Sequence, residues 1–183
     1  MKLDPVTVTL KNNMTIQIRA AVKTDAAALL DVGWRCLKES EFLIITVNEF
    51  NFTKQQEANW IRALNESENS LLIVAVAHSK IVGSLNLTGE TRAKVRHNAL
   101  LGIAIRREWQ QVGLGTALMQ TAIYWAKEKG ILKNIWLHVH ATNELAIALY
   151  RKMGFADAGI QRNFIRETSG RFTDNKIMGL SLA

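Results

Sequence analysis

The stretch Gln110-Gln111-Val112-Gly113-Leu114-Gly115-Thr116 lies between a β-rich run ending at Ile105 and a long amphipathic run reaching Lys129. Strand, side-chain-poor loop and helix in that order restrict the chain to folds that present backbone amides at a helix N-terminus. The first helical turn leaves its N–H groups unpaired and carries a partial positive charge. Glycines at 113 and 115 remove Cβ atoms that would keep an anion away, so the loop is suited to a pyrophosphate. A tight turn with no ligand would have the same spacing, and two glycines alone do not decide between the readings. Other nucleotide folds fit badly. No G-x-x-x-x-G-K-[ST] occurs. A dinucleotide fingerprint would need a third glycine where Leu118 stands, and an acidic residue about 20 positions on, where Lys133 and Asn134 are found.

Around this loop the periodicities order the chain. Met14 to Ala20 alternates Ile16 and Ile18 with polar residues, as a strand does. Thr24-Asp25 caps a helix to about Ser40, and Thr53 with Gln56 has the capping-box spacing for a second helix through Leu64. Leu71–Ala77 and Lys80–Leu87 are strands joined at His78-Ser79, followed by a strand over Asn98–Ile105. Gly113–Lys129 carries apolar residues at 114, 117, 118, 122 and 125 and ends at Gly130, a stripe and a stop typical of a core-facing helix. Ile135–His140 is a strand. Asn143 opens a short helix that Gly154 closes, and Gly159–Arg166 and Lys176–Leu182 are the last strands. The order β-α-α-β-β-β-α-β-α-β-β predicts a mixed, mostly antiparallel α/β sheet of six to seven strands with helices on both faces.

With 183 residues, a single Pro and no repeats, the whole chain reads as one domain with an ordered core over about 14–182. Its net charge of +7 attracts polyanions, but the basic residues are scattered, the closest being Arg92, Lys94, Arg96 and Arg106, Arg107. Without a basic stripe, nucleic acid is not the expected partner. Cys36 is the only cysteine, which excludes an internal disulfide and a multi-cysteine metal cluster and points to a reducing compartment. Met1 to Pro5 lacks the apolar stretch of a secretory signal, and no apolar run is long enough to span a bilayer. The expectation is a cytoplasmic protein with no membrane partner. No H-E-x-x-H or carboxylate cluster occurs, and no metal is expected.

The Q-x-x-G-x-G loop is followed about 30 residues later by Asn143-x-x-Ala146-x-x-Leu149-Tyr150-x-Lys152-x-Gly154-Phe155. Together these motifs resemble the GCN5-related N-acetyltransferase (GNAT) family, the match running from about Leu101 to Phe155 and the element order extending it over nearly the whole chain. The resemblance implies acetyl-CoA as co-substrate. It also implies a strand that splays from its neighbour so that the pantetheine arm enters the gap. On the matching positions, the backbone groups of Ile103 and Ile105 would bond the arm, Gln110, Gln111, Val112, Gly113, Leu114, Gly115 and Thr116 would contact the phosphates, Asn143 would bond the arm, and Lys152 would lie near phosphate or solvent.

Acetyl transfer to an amine sets two proton problems. The amine attacks only as the free base, although an alkylamine with a pKa near ~10 is mostly protonated at neutral pH. The departing thiolate is eased by a donor, and the oxyanion by a backbone N–H. Tyr150 matches the family's donor to sulfur. The plainer reading is a core aromatic with its hydroxyl bonded to backbone. His138 is the first candidate base, standing where some relatives carry a glutamate. His140, His97 and Glu41 are further candidates, and a water chain is the bland alternative. The acceptor is expected to be a primary amine of a small molecule (amino acid, amino acid analogue or polyamine) or a peptide N-terminus. A homodimer through the last strands, which the family often shows, stays open. A catalytically silent CoA-binding or regulatory module on the same fold is the alternative, and Tyr150 with a nearby proton acceptor separates the two.

Overall fold

The computed structural model describes residues 3–182. Its strands are β1 (Val6–Thr9), β2 (Thr15–Ala20), β3 (Leu71–Ala77), β4 (Lys80–Gly89), β5 (Asn98–Ile105), β6 (Asn134–His140), β7 (Ala156–Arg166) and β8 (Phe172–Ser181). Its helices are α1 (Ala26–Glu39), α2 (Lys54–Glu66), α3 (Leu114–Lys129) and α4 (Glu144–Lys152). One sheet runs β1-β2-β3-β4-β5-β6-β8-β7, antiparallel except where β5 meets β6. The mixed sheet with two covered faces is the expected one, but it has eight strands rather than six to seven. The added strand, β1, also brings the ordered core forward from about residue 14 to Val6. It pairs with β2 from Val6↔Ile18 to Thr9↔Thr15, around a turn closed by Leu10 N–H to the Met14 carbonyl at 2.9 Å, with Asn13 at φ 62°.

β3 explains how the layers are built. Leu71, Ile73, Ala75 and Ala77 join the core under α3 and α4, which holds Leu114, Leu118, Trp125, Ile147 and Tyr150. Leu72 and Val74 join the opposite core with Leu29, Val32, Ile61 and Leu64 of α1 and α2. A strand buried on both faces needs an uninterrupted apolar run, and residues 71–77 supply it. The helix ends follow their local chemistry. Thr53 Oγ1 accepts the Gln56 N–H at 3.2 Å and Gln56 Oε1 accepts the Thr53 N–H at 2.8 Å. Gly130 ends α3 at φ 66°, donating to the Ala126 and Lys127 carbonyls. Asp25 stands at the start of α1 as expected but makes no side-chain cap to that helix; it caps the 3-10 turn Lys23–Asp25 that precedes it. Its carboxylate takes the Arg19 guanidinium at 2.7 and 2.9 Å and the Val22 N–H at 2.8 Å.

One departure from regularity positions the site. β5 and β6 pair only over Asn98–Leu100 with Asn134–Trp136. Their joined end is pinned: the His97 carbonyl accepts the Lys133 and Asn134 N–H groups at 2.7 and 3.2 Å, and Asn98 Oδ1 accepts from Asn134 Nδ2 at 3.1 Å and Trp136 Nε1 at 2.9 Å. Beyond Leu100, β4 holds β5 as far as Ile105 and β8 holds β6 as far as His140. Each strand follows its outer neighbour and a gap opens between them.

Candidate active site

A cavity of about 670 Å³ occupies that gap. Leu101 to Ile105 form one wall and His138 to His140 the other; the α3 loop and α4 close one end, and Glu39, Ser40, Phe42, Leu43 and Ile44 with Phe164 line the other. Arg106 donates its N–H to the Val82 carbonyl on β4 at 3.2 Å. By the two-residue alternation of a strand, Ile105 and Ile103 therefore turn their backbone groups toward the gap. The Ile105 carbonyl already accepts Gln110 Nε2 at 3.0 Å. Ile103 has no ladder partner on that side, which is the condition for an extended ligand to add itself as a strand.

At the loop, Gln111 and Gly113 take φ values of 61° and 95°. The start of α3 has no side-chain cap, and Gln111, Gly113, Gly115 and Thr116 all line the cavity. Alternating left-handed residues before an uncapped helix turn successive N–H groups into one concavity suited to an anion. The two glycines have different physical reasons. Gly113 is required by its φ. A Cβ at Gly115 would lie 2.8 Å from Leu149 Cδ2 and 3.4 Å from Ile105 Cδ1, so this glycine also lets α3 approach α4. Val112 packs on the core and Leu114 is fully buried, so these two offer backbone only. Lys152 is exposed and outside the cavity lining.

Asn143 caps α4, its Oδ1 accepting the Ala146 N–H at 3.2 Å, and lines the cavity. The Tyr150 ring lies in the core against Phe155, with ring centroids 6.1 Å apart. Its hydroxyl bonds to no backbone or side-chain group among the described residues. The plainer reading thus fits the ring and fails for the hydroxyl. Burial pushes the phenol up to about 12, so it stays a donor throughout the neutral range.

The two histidines on β6 differ sharply. His140 is 5% exposed, with Nε2 2.7 Å from Glu167 Oε1 and Nδ1 2.9 Å from Thr142 Oγ1. Both nitrogens are taken, and Phe42 packs edge-on against the ring. His138 is exposed and lines the cavity, and among the described residues only its Nδ1 has a partner, Asn175 Nδ2 at 2.8 Å. Glu41 is exposed and outside the lining, and His97 sits at the pinned end of the strands, away from the gap. The sequence reading missed Lys11. The turn after β1 docks by Lys11 N–H to the Val112 carbonyl at 3.0 Å, and Lys11 Cγ lies 3.6 Å from where a Gly113 Cβ would be. A cation with no ion-pair partner among the described residues therefore stands beside the anion loop. It escaped notice because β1 did. Among the described residues no group of three His, Cys, Asp or Glu could hold a metal ion, and no helix is long and apolar enough to cross a membrane.

The profile of the acetyltransferase (GNAT) family matches residues 37–155. The chain belongs to the GNAT family. A solved GNAT acetyltransferase from Streptococcus pneumoniae superposes with a TM-score of 0.88 at 32% identity, covering 91% of this chain and 99% of that one. The [ribosomal protein bS18]-alanine N-acetyltransferase of Escherichia coli K12 is 38% identical over 93 residues, 51% of this chain and 62% of the relative. The match thus spans under two thirds of that relative's length. An N-alpha-acetyltransferase of Sulfurisphaera tokodaii is 25% identical over 154 residues, 84% of this chain and 88% of the relative. Within the GNAT domain the matched span takes in the splayed strands, the loop and α4, so the cavity lies almost wholly inside it.

Proposed function

We propose that this chain is an acetyl-CoA-dependent N-acetyltransferase acting on a primary amine, with Tyr150 as donor to the departing sulfur and His138 as acceptor of the amine's proton. The observation that carries the reading is the Tyr150 hydroxyl: its ring is packed in the core, the hydroxyl has no protein partner among the described residues, and the residue lines the gap where β5 and β6 part. A hydroxyl free of protein partners at a cavity wall is a donor available to a bound ligand.

The residues fit the co-substrate. The first-turn amides at Gly113 to Thr116, with Lys11 beside them, suit the diphosphate. The unpaired backbone at Ile103 suits the pantetheine arm, and the remaining Asn143 Nδ2 donors can reach it. Bound there, acetyl-CoA supplies an activated thioester carbonyl. Tyr150, with a phenol more basic once ionised than a thiolate of pKa near ~8.5, acts on the sulfur chiefly as a hydrogen-bond donor. His138 faces the same cavity. The presence of both groups favours catalysis over a silent coenzyme-binding module.

For the acceptor, we favour the α-amine of a peptide N-terminus. Phe42, Leu43, Ile44 and Phe164 line the far end of the cavity, and its one lining lysine, Lys11, is at the phosphate end. A free amino acid would bring a carboxylate with no lining cation to meet it there, whereas a peptide carries neutral amides and an adjoining side chain. The names of the bS18-alanine and N-alpha relatives agree with this. The test is thiol release, with mass detection of the acetylated product, across alanine-led peptides, free amino acids and polyamines. Absence of turnover with all of them in folded protein that binds acetyl-CoA would refute the enzymatic reading. Turnover confined to free amino acids would refute the peptide acceptor.

A further inference from the structure

We propose that the buried Asn175 and the half-buried Gln161 form an amide pair that sets which ring nitrogen of His138 carries the proton, and so decides whether that imidazole meets the acceptor as a base or as a donor. The inference rests on the reading of His138 as proton acceptor, and it makes Asn175 a positioning residue.

The geometry is a row across three strands. Gln161 on β7 and Asn175 on β8 are register partners. Asn175 in turn lies opposite His140 on β6, which puts His138 one step along the same face. Asn175 is 3% exposed. Its Nδ2 lies 2.8 Å from His138 Nδ1 and donates to Gln161 Oε1 at 2.6 Å. An amide nitrogen can only donate. In this arrangement His138 Nδ1 accepts, the neutral ring carries its hydrogen on Nε2, and Nε2–H is the group left for the cavity. Such a ring can donate to a carbonyl but cannot take up a proton at Nε2.

Turning both amides over exchanges oxygen for nitrogen with little movement of heavy atoms. Asn175 Oδ1 then accepts from His138 Nδ1–H and from Gln161 Nε2–H. Neither side-chain amide has another hydrogen bond among the described residues, so the count of bonds is the same in both arrangements. In the second, the Nε2 lone pair is free. As the amine nitrogen bonds the acetyl carbon and the carbonyl π pair moves onto oxygen, the amine's proton passes to Nε2. The oxyanion then collapses, the C–S bond breaks and the coenzyme leaves as the thiolate hydrogen-bonded by Tyr150, while the imidazolium keeps its Nδ1–H on Asn175 Oδ1.

His140, two residues along, supplies the contrast. Its partner Glu167 is a carboxylate and only accepts, which fixes the hydrogen on Nε2 and leaves Nδ1 to the Thr142 hydroxyl. A carboxylate locks a tautomer, while an amide permits either. The charged groups on the surrounding elements are engaged elsewhere: Glu167 with His140, Asp174 with Arg162 at 3.0 Å, Lys176 with Asp157 at 2.9 Å, and Glu39 with the Arg107 N–H at 3.1 Å. The amide pair is the partner that His138 has.

Two substitutions push the ring in opposite directions. Asn175→Asp places an accept-only group at Nδ1 and forces the Nδ1–H form. Gln161→Glu, at a half-buried position of the edge strand β7, holds Asn175 Nδ2 in place and keeps Nε2–H. Ring-nitrogen correlation spectra of the folded full chain read the tautomer, and the pH profile of kcat/KM for the amine reads the consequence. Expected are Nε2–H in the resting parent, Nδ1–H in Asn175→Asp with the acid limb moved up by about one pH unit or more, and a loss of kcat of about tenfold or more in Gln161→Glu with KM for acetyl-CoA unchanged. A tautomer that neither variant alters or holds overturns the proposal, and should Asn175→Asp not fold, Gln161→Glu decides alone. If the tautomer moves as stated while pH profile and kcat stay put, the amide pair is upheld and the role of His138 as proton acceptor is lost.

Discussion

Replacing Tyr150 with Phe separates the two halves of that residue. The ring is core, packed against Phe155, and Phe keeps it. The hydroxyl has no protein partner among the described residues, so its removal breaks no hydrogen bond and leaves no orphan behind. Removing a polar group that bonds no protein atom is close to neutral for stability. At about 2–4 °C per kcal/mol for a chain of this size, the melting temperature should stay within about 2 °C of the parent. Activity should behave otherwise. A positioned donor in acyl transfer contributes about 10²–10⁴-fold, or roughly 3–5 kcal/mol of barrier at about 1.4 kcal/mol per factor of ten. Because burial holds the phenol at about 12, the parent's kcat should show no fall from Tyr150 ionisation up to about pH 10, and the loss in the variant should be uniform over that range. The assay is steady-state thiol release with acetyl-CoA and a peptide amine, beside thermal unfolding and calorimetric affinity for acetyl-CoA. Full turnover in the Phe variant would refute the donor role, and a melting point lowered in step with activity would show that the hydroxyl is structural.

Further substitutions test the remaining parts. Lys11→Glu should weaken acetyl-CoA binding by about tenfold or more through charge reversal beside the phosphate loop while kcat changes little; equal KM values would remove Lys11 from the site. Gly113→Val forces a branched side chain into φ 95°, costing about 1–3 kcal/mol, and should abolish the stabilisation that millimolar acetyl-CoA gives the parent in thermal unfolding. His138→Ala should depress the rate most near neutral pH, and parent-like activity there would exclude it. For Asp25, burial alone would raise the carboxyl, but the Arg19 guanidinium and the Val22 N–H outweigh it and hold the pKa below its ordinary 3.8. A depressed folded value stabilises the native state above the unfolded pKa and is lost as pH falls through the folded one. Asp25→Ala should therefore cost about 1–3 kcal/mol at pH 7 and much less at pH 2, as read by denaturant unfolding.

Local rules made part of this molecule legible and long-range pairing hid the rest. The loop, α3 and the caps at Thr53 and Asn143 follow from hydrogen-bonding within a few residues, and the structure has each where the spacing puts it. β1 did not stand out, although Val6 and Val8 alternate with threonines and Asn12-Asn13 marks a turn, because a four-residue strand has too little pattern of its own. Missing it meant missing Lys11, which reaches the loop only through the hydrogen bond of that turn to Val112. Asp25 illustrates the reverse error: its position suited a cap for α1, but its carboxylate is turned back to Arg19, six residues earlier, and to the Val22 N–H. The histidines carry the same lesson into the site. Spacing on β6 put His138 and His140 on one face and could rank neither. What separates them is chemistry delivered by the β7–β8 hairpin, a carboxylate at Glu167 in its turn for one ring and an amide at Asn175 on β8 for the other, from residues 27 and 37 positions away in the chain. A ring's freedom to take a proton is thus fixed by sheet register, and register is a property of the folded sheet as a whole.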